Sequence, residues 1–427
     1  MSHWKNHKIQ QLNGQEQRLL LPAQLQIVTE NLSGLWITAW NQVAAVPNMV
    51  YIPEKDQLVL MASCGNPHQA VIFTSDDQGA TWSTPRYMHT DKNGASDTGL
   101  AVGLVYVAAG RMLTWTMAYW LPNQPWIRWL SEDCGQTWTK QAPIALKGAY
   151  PWDQPTVETD PTTGQVTTLW ETAYIEDHTR KVWSQAYLRS SKDQGFSWSE
   201  FRDIPAWAGC NEVRIVRAQN GTLVAAMRTD MPKTFVSRDV ATGEEIALDL
   251  YEGLGCSISA DDGQTWSTVK KLYDWGRHHF SMLVLANGDI VLTYASRMGY
   301  VETAQGYPQF GVEAVISHDH GQSWDLDHRY VFAAWPGNRS DANLSWTRCS
   351  QATSSVLLPD ASILTAFGSG HRAQVIAGKE DKYSPRDVGL VHWRVNTCGL
   401  NDDTGIANAP FDSEQRNLFD PQTNTFA

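Results

Sequence analysis

The sequence of 427 residues has little charge and no long apolar segment. Charged residues make up 18% of the chain, below the roughly 25% of typical soluble domains, and the composition excludes disorder, collagen and coiled coil. No stretch approaches about 18 consecutive apolar residues, so we expect no membrane span. The segment Leu19 to Val28 is interrupted by Pro22 and lacks the pattern of a signal peptide. As written, the sequence predicts a cytoplasmic protein, although the compartment stays open.

Basic residues and closely spaced cysteines are also scarce. The 33 Lys and Arg against 45 Asp and Glu give a net charge of −12, which argues against nucleic acid or an anionic membrane as partner. The six cysteines lie far apart, so neither a disulfide framework nor a zinc knuckle is indicated. No His/Asp/Glu spacing supports a metal site, and we expect no cofactor. Tryptophan is abundant instead: 20 Trp against 14 Tyr and 11 Phe indicate a repeated Trp position, a sugar-stacking surface, or both.

One octapeptide recurs five times, about every 60 residues. Its aspartate can accept backbone N–H bonds, its glycine can take a positive φ, and its Trp can pin the turn to a sheet. An alternating strand precedes the turn, which predicts a β-hairpin and a scaffold role for the five aspartates. The copies are SDDQGATW (75–82), SEDCGQTW (131–138), SKDQGFSW (191–198), SADDGQTW (259–266) and SHDHGQSW (317–324).

A second repeated feature, a short turn followed by a β-rich strand, occurs six times. Asn220-Gly221 and Asn287-Gly288 are especially good hairpin turns among these. Six inner hairpins, five of them followed by an octapeptide hairpin, predict six four-stranded sheets closed into a ring. The predicted fold is therefore all-β, a six-bladed β-propeller. We expect residues 1–30 to contribute a closing strand near Leu25 to Val28, residues 31–395 to form the propeller and residues 396–427 to form a polar tail.

The octapeptide at hairpin turns of a six-bladed propeller resembles the Asp-box (BNR) repeat of the sialidase, or neuraminidase, superfamily. The resemblance covers roughly residues 40–395 and is specific for the fold. It is a weak guide to activity, because the repeat also occurs in other propeller glycosidases, in polysaccharide lyases and in non-catalytic propellers. The resemblance implies a carbohydrate-binding funnel at the propeller axis.

Four positions match the order of functional residues in retaining sialidases. Asp97 falls in the loop that carries the family's acid/base, and Glu212 opens blade four where the family has a glutamate. Arg228 and Arg297 match the arginines that close the inner hairpins of blades four and five. Two guanidinium groups would form a clamp for a carboxylate. The resemblance therefore implies a terminal acidic sugar as substrate.

Blades one and six depart from the family pattern. Residues 42–52 contain no arginine, and residues 346–360 contain no tyrosine at the position of the family's nucleophile. Tyr300, Tyr307 or Tyr383 could reach in from loops instead. Arg348 lies near this gap and is a further candidate for binding substrate.

Counting from the inner turns adds polar residues to the ring around the axis. His279, which opens blade five, is a third candidate catalytic residue beside Asp97 and Glu212. The neighbouring His278, and Asp153 beside Trp152 in blade three, are candidate substrate-binding residues.

From these residues we predict an exo-acting glycoside hydrolase, with Asp97 and Glu212 as acid and base. Two alternatives stay open. In a polysaccharide lyase, His279 or a loop tyrosine would remove the C5 proton of a uronate held by Arg228 and Arg297. In a non-catalytic propeller, the same ring would only bind a glycan or a protein.

Overall fold

Six antiparallel sheets surround a common axis in a six-bladed β-propeller, so the predicted fold class is confirmed. Within each blade the first strand lies innermost, and successive strands pair outwards. The computed structural model describes residues 7–10, 16–19, 24–27, 32–35, 44–64, 68–117, 125–142, 146, 148–177, 181–230, 237–238, 245–246, 252–274, 276–296, 309–326, 328–336, 351–369, 387–395, 419–420 and 425–426.

The six inner hairpins predicted from the sequence are the first two strands of the six blades. Blade one comprises Ala44–Ile52, Gln57–Cys64, Gln69–Ser75 and Arg86–Tyr87, and blade two comprises Leu100–Ala108, Arg111–Met117, Ile127–Ser131 and Thr139–Lys140. Blade three comprises Thr156–Thr159, Val166–Glu176, Ser184–Ser191 and Arg202–Ala208, and blade four comprises Cys210–Arg217, Leu223–Thr229, Gly253–Ser259 and Lys270–Tyr273. Blade five comprises Arg277–Val284, Ile290–Ser296, Gln309–Ser317 and His328–Pro336, and blade six comprises Gln351–Leu357, Ile363–Ser369, Asp387–Trp393 and Leu32–Leu35.

The N-terminal segment supplies the outer strand of blade six. Leu32–Leu35 pairs antiparallel with Asp387–Trp393, and Gln24–Ile27 pairs parallel with the outer strand of blade five. Blade six therefore needs no turn between its third and fourth strands. This explains why six blades carry only five octapeptides. The division of the chain into residues 1–30, 31–395 and 396–427 stays a prediction.

The remaining described elements are small. Among the described residues, no helix is long and apolar enough to cross a membrane. The small elements are the 3-10 turn Pro53–Lys55 and three two-stranded pairs: His7–Gln10 with Glu16–Leu19, Ser237–Arg238 with Glu245–Ile246, and Phe419–Asp420 with Thr425–Phe426.

Each octapeptide forms the same hydrogen-bonded turn between the third and fourth strands of its blade. In the first copy, Ser75 Oγ donates to Asp77 Oδ1 at 2.8 Å, and Gly79 N–H donates to Ser75 Oγ at 2.8 Å. The backbone N–H and hydroxyl of Thr81 donate to the Asp77 carboxylate, and together these bonds lower the pKa of Asp77. The turn glycines have φ between +73° and +93°, a region that side chains rarely adopt. The predicted scaffold role of the five aspartates is confirmed.

The turns also join each blade to the preceding one. The Trp266 ring of blade four lies 4.7 Å from the Trp207 ring of blade three, and Arg202 of blade three donates to the Gln264 carbonyl at 2.7 Å. Trp138 of blade two is buried in a cluster that contains Met88 of blade one. The octapeptide thus stabilises the contact between blades as well as the hairpin.

Truncating the octapeptide tryptophans should destabilise the propeller in proportion to their burial. Trp138 is 4% exposed, so Trp138→Ala should cost about 3–5 kcal/mol of unfolding free energy, and the half-buried Trp266→Ala should cost less. Phe196, in an octapeptide but 69% exposed, serves as control and should cost below about 1 kcal/mol. Urea titration measures all three. Equal losses for Trp138 and Phe196 would contradict this account.

Candidate active site at the propeller axis

Most inner strands share an irregularity near the axis. One residue of each such strand takes a positive φ. For a residue with a side chain this conformation costs about 1–3 kcal/mol, and such strained residues are concentrated at functional sites. A β-bulge at such a position re-aims the side chain. Blades four and five place Glu212 (φ +42°) and His279 (φ +54°) at it. Blades one, two and six place Val46, Gly103 and Ala352 there.

A cavity of about 40 Å³ lies on the axis between these residues. This volume holds a few water molecules but no sugar ring. A bound sugar must therefore lie above the cavity and reach into it with single groups. The lining residues come from five blades: Val46, Pro47, Asn48, Trp152, Asp153, Gln154, Glu212, Arg214, His279, Phe280, Ser281, Ala352, Thr353 and Ser354.

Glu212 is the charged centre of this site. It is 3% exposed, and its Oε1 lies 3.3 Å from Nη1 of Arg228. Its Oε2 lies 2.9 Å from Nδ1 of His279, a side chain that is 9% exposed. A buried carboxylate requires such partners, because desolvation of an unpaired charge is expensive.

Arg228 has several acidic and polar neighbours. Besides Glu212, its Nε lies 2.7 Å from Oε2 of Glu252 and donates to Oδ1 of Asn211 at 2.5 Å. All four side chains are at least nine-tenths buried. Arg228 therefore serves as counterion to two buried carboxylates. Its role as a clamp for substrate stays a prediction.

Asp153 is the second carboxyl group of the cavity. Burial, and then the negative charge of Glu212, raise the pKa of Asp153 to about 8, so it holds a proton at neutral pH. Its Oδ2 is buried and makes no hydrogen bond to another described residue. Gly103 lets this segment approach the axis, since a Cβ at Gly103 would lie 3.0 Å from the Asp153 carbonyl oxygen. Gly103 is held in turn by its N–H bond to Asn48 Oδ1.

Arg214 closes the bottom of the cavity. Its Nη1 donates to Oε1 of Gln154 at 2.5 Å and to the Gln154 carbonyl at 3.2 Å. Burial lowers the pKa of Arg214 to about 10, so the guanidinium stays charged. Arg214 and Gln154 also line a larger cavity of about 650 Å³ on the opposite face. These two residues therefore separate the two halves of the axial channel.

Glu212, His278 and His279 also form a set that could ligate a metal. Their possible ligand atoms lie within 4.8 Å of one another, and the two imidazole rings are 4.4 Å apart. The sequence predicts no metal, and that prediction stays open. The Arg228 guanidinium beside Glu212 disfavours a second cation there.

Of the remaining predicted site residues, one lines the cavity and the others lie apart from it or outside the described residues. Asp97 is not among the residues that line the cavity. Its Oδ1 lies 2.6 Å from Nδ1 of His89, and both side chains are more than a third exposed. Trp152 lines the cavity. Arg297 and Arg348 lie outside the described residues.

Sequence analysis missed Arg214 and Glu252. Arg214 could have been found, because it follows Glu212 by two positions on an inner strand and alternate residues of a strand share a face. Glu252 had no such signal. It precedes the third strand of blade four and meets Arg228 only in three dimensions.

Comparison with known proteins supports the fold but not a particular activity. No family model and no curated protein matches the chain. A Dyadobacter fermentans protein of unknown function is 15% identical, with 86% of this chain and 98% of that chain covered and a TM-score of 0.58. The intramolecular trans-sialidase of Ruminococcus gnavus is 10% identical (85% and 97% covered, TM-score 0.53), and a Hadza microbial sialidase is 13% identical (83% and 66% covered, TM-score 0.52). The chain thus has a divergent, sialidase-like propeller scaffold of the kind found in glycosidases.

Replacing Arg228 should affect stability before it affects substrate binding. Arg228→Met would leave the carboxylates of Glu212 and Glu252 buried without this cation, at a cost of about 3–5 kcal/mol. Denaturant unfolding at pH 7 measures the loss. A normally stable Arg228→Met protein with only weakened ligand binding would show that Arg228 is a clamp for substrate.

Proposed function

We propose that the protein is an exo-acting glycoside hydrolase whose acid is Asp153 and whose second carboxylate is Glu212. The proposal rests on one observation: two carboxyl groups line the same axial cavity in environments that favour opposite protonation states. Such pairs supply the acid and the base of glycoside hydrolysis. The glycosidase-like scaffold agrees with this assignment.

The two groups divide the reaction between them. Protonated Asp153 donates its proton to the glycosidic oxygen as the bond to the leaving group breaks. Glu212, held by Arg228 and His279, acts on the anomeric carbon either directly or through a water that it deprotonates. This arrangement needs no tyrosine nucleophile, which agrees with the lack of tyrosine in residues 346–360.

Asp97 remains the competing acid. The resemblance to sialidases assigns this role to it, whereas its described contact is with the exposed His89. Asp153 is favoured as the acid because it lines the axial cavity and its pKa is raised to about 8, so it holds a proton at neutral pH. Activity of Asp97→Asn and Asp153→Asn variants, compared side by side, decides between them.

The acidic-sugar part of the prediction now depends on Arg297 and Arg348. The third candidate, Arg228, already contacts two carboxylates. A terminal acidic sugar would therefore require the other two arginines to reach the site, and it is the alternative to the neutral sugar argued below.

Replacing Asp153 should separate activity from stability. Asp153→Asn should lower kcat/KM by about 10²–10⁴-fold, the usual contribution of a positioned acid. The pKa of Asp153 is raised in the folded protein, so its stabilising proton is lost as the pH rises through about 8. The variant should consequently be at least as stable as wild type at pH 9. Full activity of Asp153→Asn on a substrate of the wild type would exclude Asp153 as the acid.

The protonation of Asp153 should depend on Glu212. Wild-type kcat/KM should fall on the alkaline side with a pKa near 8, as Asp153 loses its proton. In Glu212→Gln the nearby negative charge is gone, so the Asp153 carboxyl should titrate at lower pH. Carboxyl carbon chemical shifts of labelled aspartate measure this without a substrate, and Asp97→Asn is the control that should leave the titration unchanged. An identical titration in Glu212→Gln would contradict the coupling.

A further inference from the structure

Two residues that line the axial cavity each have a buried polar atom without a hydrogen-bond partner among the described residues. Arg214 Nε and Asp153 Oδ2 are buried, and neither makes a hydrogen bond to another described residue. Both residues line the cavity of about 40 Å³. A guanidinium N–H donates, and a carboxyl group can accept or donate. A hydroxyl group both accepts and donates, so it suits either of these atoms.

The charge around the cavity disfavours a carboxylate in the same place. Glu212 is held among its partners as the second carboxyl group, and its charge already raises the pKa of Asp153. Arg228 is shared between Glu212 and Glu252. The two guanidinium groups at or beside the cavity, those of Arg214 and Arg228, balance these two carboxylates. A substrate carboxylate placed here would therefore leave one negative charge in excess. Placing like charges next to each other in a desolvated site costs several kcal/mol.

The opposite side of the cavity is apolar at the positions that point to the axis. Val46 of blade one and Ala352 of blade six take the bulge position that Glu212 and His279 occupy in blades four and five. The described walls from blades one and six thus offer no cation at these two positions. Three polar side chains also line the cavity from these two blades, but all of them are uncharged: Asn48, Thr353 and Ser354.

We propose that the sugar bound at this site is neutral and places one hydroxyl group in the axial cavity, where it accepts a hydrogen bond from Arg214 Nε. The inference rests on the proposed glycosidase function and names the substrate class. Arg214 is then a substrate-binding residue of the floor, and hydroxyl recognition by a buried charged donor makes the site selective against the deoxy sugar.

Matched substrates test the charge of the sugar. Aryl glycosides of glucose and galactose, in both anomers, and of arabinose are assayed beside aryl glucuronides, galacturonides and sialosides. Glucose and glucuronic acid differ only at C6, so each pair isolates the carboxylate. We expect turnover of a neutral glycoside at least tenfold faster than of any acidic one. Equal or faster turnover of an acidic glycoside would overturn the inference while leaving the glycosidase proposal intact.

Lack of turnover on the whole panel would count against the proposed function, and binding would then decide the inference. Saturation-transfer NMR is run with the free monosaccharides glucose, galactose, arabinose, glucuronic acid and sialic acid. Binding of a neutral sugar that is lost in Arg214→Met supports the inference. Binding of acidic sugars alone, or of no sugar, overturns it.

Variants of Arg214 test the hydroxyl contact. Arg214→Met should raise KM, or the dissociation constant, for the neutral ligand by about 10- to 100-fold, the range of a hydrogen bond to a charged group. The deoxy ligand that lacks the bound hydroxyl should be insensitive to the change. Arg217→Met is the matched control, because Arg217 lies on the same strand but pairs with Glu158 on the opposite face. Arg214→Lys keeps the positive charge but lacks Nε, so it should show the same loss of affinity. It replaces Arg214→Met in the test if that variant fails to fold. Unchanged affinity in a folded Arg214 variant would overturn the contact.

Discussion

The ionic centre of this propeller is the buried carboxylate of Glu212, and the chemistry of the axis depends on how that carboxylate is held. The residue stands at a positive φ within a bulge, so its side chain turns towards the axis instead of packing between blades. A carboxylate in that position needs a cation, and Arg228 supplies it. Two consequences follow from the same pairing. Asp153, facing a negative charge in a desolvated cavity, keeps its proton, and Arg228 is committed to the protein's own carboxylates.

The fold could be predicted because its signals are local and repeated. The bonds of Ser75 and Asp77 that recur in the octapeptide turns join residues at most four positions apart, so the pattern is visible in a short stretch of sequence. The closure of blade six had no such signal. Leu32–Leu35 pairs with a strand more than 350 positions later, and a four-residue strand carries too little pattern to identify its partner. The sequence indicated a closing strand near Leu25 to Val28. Gln24–Ile27 adds to blade five instead, and the neighbouring Leu32–Leu35 closes the ring.

The sequence could predict which residues lie at the candidate site but not their protonation states or ion-pair partners. Blades are quasi-equivalent, so counting from the inner turns led to Glu212, His279 and Asp153, and all three line the axial cavity. Charge states depend on neighbours from other blades, which a linear sequence does not show. The proton on Asp153 is due to burial and to Glu212 of the next blade, and the commitment of Arg228 is due partly to Glu252, beyond a long insertion in blade four.

In the account proposed here, Arg228 matches a family pattern without having the family's role. A guanidinium binds a substrate carboxylate when the protein leaves part of its donor fork open, and it acts as a counterion when protein carboxylates fill that fork. At Arg228, contacts to Glu212, Glu252 and Asn211 favour the second role. Moving the guanidinium to a ligand would leave buried carboxylates with less compensation, a cost that a solvent-exposed sugar carboxylate would have to exceed while losing its own hydration. A hydroxyl group carries no such desolvation penalty. In our proposal, the charge balance within the protein thus restricts the substrate more strongly than the presence of the arginine does.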